Sequence, residues 1–373
     1  MNNTILSWNG TDHREIYNRQ LKENPLYYDP NLKAWVVYSY EYCMAVLSNT
    51  DAHVPEPVID GNSLLNDRAK LLIRDMARLS NDHQHETARA AAMMIFQKIN
   101  QVDIHALLKS LLTMTDSHNF DWVEVIARRL PAQVILKGLN FYETDSAYVI
   151  TNLASLVRVM SPVKTAVDAK IVNATVSRVY EITERYIISS GLVKEAEETN
   201  ELLICNLIGL FIQCYDAGRG LLCNTLLSFA ANQQQHVKRN DISYYKALVD
   251  ETLRRDPPVH STRRIATKAI RVGTQTIPAG EIVLIVLAAA NLDPIAFKDA
   301  DQFDPTRSNN EQHLTFGLGG HNCIAKYLCI TMAAETCAFL ANNYKTVGIR
   351  QKDFSYGPQL NVRLIKQLMI TLI

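Results

Sequence analysis

No Cys-x-x-Cys pair occurs in the 373-residue chain, and its cysteine count, seven, is odd. Both facts argue against a disulfide framework and for a reducing compartment. An excess of one charge sign is missing as well, since 38 basic side chains balance 38 acidic ones. Nothing in that balance argues for nucleic acid or an anionic surface as partner. Residues 1–23 are polar and contain no apolar run of the signal-peptide kind. No apolar stretch of about 18 residues suggests a membrane span. Repeats, low-complexity tracts and linker-like composition shifts are absent too, so residues 1–373 are expected to form a single domain. The expectation is a soluble cytoplasmic protein, a monomer with no membrane partner. Its 47% apolar content and its length are ample for a large core around an enclosed pocket.

What is present reads mainly as helix. Residues 11–23 carry helical patterning, Asp29-Pro30-Asn31 a turn, 34–40 a strand and 40–48 a short helix. Residues 51–65, with Pro55, Pro57 and Gly61, read as irregular. Helical periodicity then dominates from about 67 to 255, broken near Asn81, Asn119, Asn140, Ser161-Pro162 and 189–191. Strand-like pieces return only at 264–286, with turns at Gly273 and Pro278-Ala279-Gly280. The fold class expected is mainly α with a small β portion.

The stretch that carries chemistry is Phe316-Gly317-Leu318-Gly319-Gly320-His321-Asn322-Cys323-Ile324-Ala325. Its glycines let backbone come close to a flat partner. A thiolate at the mouth of the helix that follows gains from the N-terminal dipole and from amide donors. The combination suits a sulfur that ligates a metal from a rigid loop; the bland alternative is a glycine turn with a buried, inert cysteine. Upstream, Glu251 and Arg254 stand i and i+3 on a helix that Pro257 and Pro258 end. Taken alone, such a pair is a surface bridge worth under about 1 kcal/mol. Between the two lie Ile277-Pro278-Ala279-Gly280, Ala290-Asn291-Leu292-Asp293-Pro294 and Phe303-Asp304-Pro305.

In order and rough spacing these motifs resemble the cytochrome P450 family of haem-thiolate monooxygenases. The resemblance is close from about 249 to 340 and looser, by order of helices, from 1 to 248. It implies a triangular fold with haem b (iron protoporphyrin IX) between a long central helix and the cysteine loop with its proximal helix. Cys323 is then the iron ligand, with Phe316, Gly317 and Ala325 shaping the loop; Ala325 stands where the family usually has glycine. Glu251 and Arg254 are a structural pair that pins the loop. The family often adds an arginine where this chain has Gln302, so the third member is missing or supplied by Arg307. Arg264 and His321 match propionate-binding positions, with Arg263 the bland alternative to the first.

Two further stretches take meaning from the resemblance. His85 and Arg89 lie four apart in a helical run, so both project from one face and can hold an anion. By residues alone they read equally as a solvated pair beside Glu86. In the family such a pair meets a haem propionate, and His83 competes for the histidine role. The apolar run Glu201–Ala231 reads as a buried helix whose middle carries Gln213, Asp216 and Arg219, polar groups that are costly in a core unless partnered. The bland reading is a helix kinked at Gly218 and Gly220, with Asp216 paired to Arg219. Aligned with the family, Asp216 keeps the acid of the central helix, while Ala217 replaces the threonine that helps deliver protons.

The function implied is oxidation of a small organic substrate with O₂ and two electrons, as in natural-product tailoring. A ferredoxin and its reductase would supply electrons at the face around Lys326. The region 150–200 would form the lid over the substrate. Because Ala217 lacks a hydroxyl, a non-hydroxylating outcome such as oxidative phenol coupling or desaturation, or a non-catalytic haem protein, stands as the alternative.

Overall fold

Trp35-Val36-Val37-Tyr38 and Ile282-Val283-Leu284-Ile285 are unbroken apolar runs, and such runs suit strands covered on both faces. A computed structural model describes residues 13–57, 63–115, 118–161, 165–192, 199–232, 241–359 and 361–373. In it both runs are central strands. The contacts of the chain group it into two compact units, residues 1–53, 104–128 and 217–373 in one, 54–103 and 129–216 in the other.

The first unit holds a five-stranded sheet in the order β1 (Leu26–Asp29), β2 (Ala34–Val37), β8 (Ile282–Ile285), β5 (Thr262–Ala266), β3 (Ala52–His53). Strand β2 runs parallel to β8, with Val36 opposite Leu284 and Val37 opposite Ile285; the other pairs are antiparallel. Alternation along the strands then sorts the side chains. Val36 and Leu284 pack with Ile16 and Tyr17 of the helix His13–Glu23. Val37, Val283 and Ile285 pack on the other face with Cys43, Val46 and Leu47 of the helix Tyr40–Leu47. A hairpin of β6 (Ile270–Val272) and β7 (Gln275–Ile277) lies beside them in sequence. The helices Ile242–Arg255 and Lys326–Asn343 pack against each other in this unit.

The second unit is helical. Asn66 caps the helix Asp67–Asp75 by accepting from the Ala69 amide at 2.9 Å, and Thr165 caps Ala166–Ser189 by accepting from Asp168 at 3.1 Å. The helices Glu143–Val157 and Ala166–Ser189 pack together, tied by Arg185 to Asp145 at 2.8 Å. Both reach into the region 150–200, where the resemblance implies the lid. The centre of the lid expected there, residues 162–164, lies outside the described residues. Asn140 ends its helix with φ +57, a conformation asparagine tolerates. The long helix Thr199–Ala231 contributes its residues through Asp216 to this unit and from Ala217 to the first.

Three expectations need correction. Strands occur outside 264–286: β1, β3, and a three-stranded sheet of β4 (Asn119–Asp121), β10 (Met369–Leu372) and β9 (Val347–Ile349). Each is at most four residues long, too short for a period-two signal, and β4 finds its partner at the far end of the chain. The long helix stays α-helical through Gly218 and Gly220. Gly220 serves close approach instead, since a Cβ there would stand 2.5 Å from Pro258 Cβ and 3.0 Å from Leu364 Cδ2. Finally, Glu201–Ala231 is long and apolar enough to cross a membrane by length and composition, because its few charges are widely separated. Most of it is buried in protein, as in a core helix.

The Gly220 contact yields a test. Gly220→Ala is expected to lower unfolding stability by about 1–3 kcal/mol through overpacking against Pro258, although alanine is the better helix former. A thermal melt that shows stabilisation would contradict the contact.

Candidate functional site

Cys323 lies between the short turn Gly319–His321 and the helix Lys326–Asn343. The loop closes on itself: Gly317 N–H donates to Leu314 O at 2.8 Å, Asn322 N–H to Gly319 O at 3.1 Å, and Cys323 N–H to Phe316 O at 2.9 Å. Gly317 and Gly319 take φ +70 and +73, the left-handed region that favours glycine. At Gly319 space forbids a side chain as well, for a Cβ would stand 2.6 Å from the Leu47 carbonyl oxygen. Cys323 alone among the seven cysteines is exposed. Burial pushes the Cys214 and Cys223 thiols up to about 12 and raises those of Cys43, Cys205 and Cys337 too. Such thiols are poor ligands, so accessibility singles out Cys323.

The loop hangs from a buried charge pair. Arg254 Nη2 and Nε donate to Glu251 at 2.7 and 2.8 Å, and both side chains are fully buried. Arg254 also donates to the carbonyls of Asn291, Ala300 and Gln302 at 2.9, 2.8 and 3.1 Å, and Glu251 accepts from the Asp304 amide at 3.0 Å. Arg307 Nε stands 3.5 Å from Glu251, so the third member left open by Gln302 is Arg307. From Asn291 the network continues to the base of the loop. Its side chain accepts from Leu314 N–H at 2.7 Å and donates to Thr315 Oγ1 at 2.9 Å, and that hydroxyl donates to Leu253 O at 2.7 Å. His313, fully buried, accepts at Nδ1 from Thr315 N–H at 3.3 Å, with Nε2 3.6 Å from Asp250. Burial pulls the His313 pKa down, opposed by Asp250.

Other residues of the first unit complete the picture. Arg264 on β5 is 5% exposed and donates to Arg263 O at 2.8 Å and Thr262 Oγ1 at 3.3 Å. No carboxylate forms an ion pair with it among the described residues, and burial lowers its pKa. Arg263 beside it is exposed. His321 ends the turn before Cys323 and is half-buried. Phe316 lies 5.6 Å from the His313 ring, with Lys326 Nζ 5.9 Å from its own centroid. Ala325 has φ −93, which asks for no glycine, and its carbonyl accepts from Cys329 N–H at 2.9 Å.

In the second unit His85 is buried and Arg89 half-buried, one turn apart on the helix Asp82–Phe96. His85 Nδ1 is 2.7 Å from Ala77 O, so this nitrogen carries the proton and donates. His83 is a surface residue 3.6 Å from Glu86. On the long helix Gln213 is exposed and Asp216 and Ala217 are half-buried, while Phe211, Ile212, Tyr215 and Leu221 are buried. Positions i, i+3 and i+4 share one face, so these three, two of them polar, form an accessible stripe on a mostly buried helix. Gln213 Nε2 donates to Gly209 O at 3.0 Å. Sequence reasoning missed Arg78, which feels the charge of Asp216. The available signal was an arginine inside the apolar run Met76-Ala77-Arg78-Leu79.

An exposed thiol on a glycine loop and a buried guanidinium without a carboxylate partner fit a flat ligand that carries iron and acid groups. Such a set has the chemistry that a haem-thiolate centre would need. A family model for cytochrome P450 matches residues 226–353. Cytochrome P450 119 of Sulfolobus acidocaldarius is 28% identical over 335 residues, 83% of this chain and 85% of that protein. The biotin biosynthesis cytochrome P450 of Bacillus subtilis is 25% identical over 369 residues, 93% of each. Among solved structures, P450BioI in complex with acyl carrier protein ligated to hexadec-9Z-enoic acid superposes with a TM-score of 0.81 at 23% identity, covering 96% of this chain and 97% of that one. The chain is thus similar over most of its length to cytochrome P450 enzymes, haem b proteins of the monooxygenase and oxidase kind, and it shares their fold.

Two outcomes follow. Glu251→Gln leaves Arg254 charged and buried without its counter-ion, so a loss of about 3–5 kcal/mol is expected, read as a lower urea midpoint with less haem retained. On the pH side, the His313 pKa is lower folded than unfolded, so the unfolded chain binds more protons. Stability is therefore complete above the unfolded value near 6.5 and falls as the pH drops below it. Urea midpoints between pH 7.5 and 5 are expected to fall less steeply for His313→Asn than for the natural chain; equal slopes would refute this.

Proposed function

We propose that this chain oxidises a small organic substrate with O₂ and two electrons, through a haem whose iron is ligated by Cys323. The observation that carries the reading is the single exposed thiol on a loop pinned by a buried charge network. Bound haem with a thiolate ligand supplies the oxygen chemistry. The residues of the chain bind, orient and meter protons. Arg264 and His321, and likewise His85 and Arg89, are assigned to the propionates. Asp216 holds or passes protons along the accessible stripe, and Gln213, whose amide nitrogen is engaged by Gly209 O, offers its carbonyl oxygen as an acceptor there. Separate electron donors, a ferredoxin and its reductase, are assigned to supply the electrons. The substrate class we assign is a natural product, tailored in the cytoplasm.

Ala217 favours a second reading of the outcome. A methyl group can neither donate nor relay a proton, so hydrogen abstraction followed by coupling or desaturation needs less from this helix than oxygen insertion does. Ala217→Thr separates the two: a rise in hydroxylated product per electron pair would assign the missing hydroxyl as the limit.

The test of the main reading is the absorption spectrum of the dithionite-reduced protein with carbon monoxide, beside Cys323→Ser. A strongly red-shifted Soret band, lost in the variant, is expected. Haem with an unshifted band in the natural chain would overturn the thiolate assignment.

A further inference from the structure

The helix His13–Glu23 meets the rest of its unit along one narrow stripe, in which His13, Ile16 and Tyr17 are buried while its other side chains are at least partly exposed. Ile16 and Tyr17 pack with Val36 and Leu284 of the sheet. His13 and Tyr17, one turn apart, also close around His260, which stands just ahead of β5. Tyr17 Oη is 2.9 Å from His260 Nδ1. The His13 ring is edge-on to both neighbours, its centroid 5.0 Å from that of His260 and 5.4 Å from that of Tyr17. His13, Tyr17 and His260 are 6%, 1% and 2% exposed.

His260 is fixed at its backbone. Its N–H donates to Asn361 O at 2.9 Å, and its carbonyl accepts from Ala288 N–H at 3.1 Å. Val259 pairs with Val362 beside it, and Arg363 N–H donates to Pro258 O at 2.9 Å. The cluster therefore presses two imidazoles together where little room is left for either to turn to water.

A proton added here meets no compensation. The charges that bear on His260 are those of His13 and Arg363, both of cationic sign, and burial disfavours a charge further. Its ring also hydrogen-bonds the backbone of Pro257, and a proline offers only a carbonyl. The ring donates there, which leaves Nδ1 to accept from the Tyr17 hydroxyl. Burial keeps Tyr17 in its phenol form. Arg363 lies 3.9 Å over the Tyr356 ring, and Arg14, next to His13, bears on the same tyrosine. Carboxylates of the neighbouring segments act elsewhere, Asp256 on Tyr356, Asp29 on Tyr38 and Asp301 on Asn18 at 3.3 Å, while Glu15 is exposed. His13 also sits in the first turn of its helix, where the helix dipole opposes a cation.

We propose that the helix His13–Glu23 is an acid-released strap, docked while His13 and His260 are both neutral and undocked once either gains a proton. In water an imidazole takes up its proton near pH 6.5, so the undocked form binds more protons than the docked one. Docking is complete above that pH and weakens as the pH falls below it. With the His13 contact gone, Ile16 and Tyr17 are the fully buried contacts left on the helix, so release can be local.

The test is hydrogen exchange on the full, haem-loaded chain, read at the amides of residues 14–23 and corrected for the intrinsic effect of pH. From pH 7.5 to 5 the opening constant of this helix is expected to rise about 30-fold if one imidazole takes up a proton, and more if both do. Amides of the helix Lys326–Asn343 should keep their protection over the same range. His260→Gln can still hydrogen-bond Tyr17 but cannot titrate, and it is expected to remove most of the rise. His13→Phe keeps an aromatic edge at the contact and is expected to lessen the rise; it decides the matter alone if His260→Gln does not fold. An opening constant independent of pH in the natural chain, or the same rise in the variants, overturns the proposal. So does a joint loss of protection in both helices, since acid would then act on the whole fold.

Discussion

Glu251 and Arg254 are two full charges with no access to water, and the surrounding structure is arranged to satisfy them. Desolvation alone would cost several kcal/mol per ion. Here the guanidinium fork faces the carboxylate, and its remaining protons go to carbonyls of Asn291, Ala300 and Gln302. The carboxylate takes the Asp304 amide and lies near Arg307. Segments far apart in sequence are thereby gathered around one point. A pair of this kind adds little net stability compared with a well-packed apolar core, but a wrong arrangement of those segments leaves a buried charge exposed to its full penalty. Its effect is specificity.

The cysteine loop inherits that specificity through Asn291, which holds Leu314 and Thr315 at the loop's base. Because the loop is also closed by its own amides and wedged at Gly319 against Leu47, the thiol is placed before any ligand arrives. Preorganisation reduces the ordering cost of binding. The long helix works by the opposite contrast. It is apolar and buried nearly throughout, so the few accessible positions at Gln213, Asp216 and Ala217 stand out as chemistry rather than packing. Under the proposed function Asp216 offers an acid there and Ala217 offers no hydroxyl, which would shift the burden of proton handling to other groups.

Much of the candidate site was legible because its motifs are local. The glycines ahead of Cys323, the i and i+3 spacing of Glu251 and Arg254, and the one-turn spacing of His85 and Arg89 can all be read along the chain. The helices were legible for the same reason, since 3.6-residue periodicity extends over many residues. Short strands were not: β4 and β10 become strands only by pairing with each other and β9.

The order of residues alone therefore determined the mainly helical class, the loop that carries the thiol and the identity of the paired charges, all set by contacts within a few residues. Tertiary structure decided the rest. It made Arg307 the third member of the charge cluster, placed His83 on the surface, and opened one face of a mostly buried helix at Gln213, Asp216 and Ala217. The reason is physical: burial and charge compensation depend on which segments meet, and that is a property of the folded chain rather than of any stretch within it.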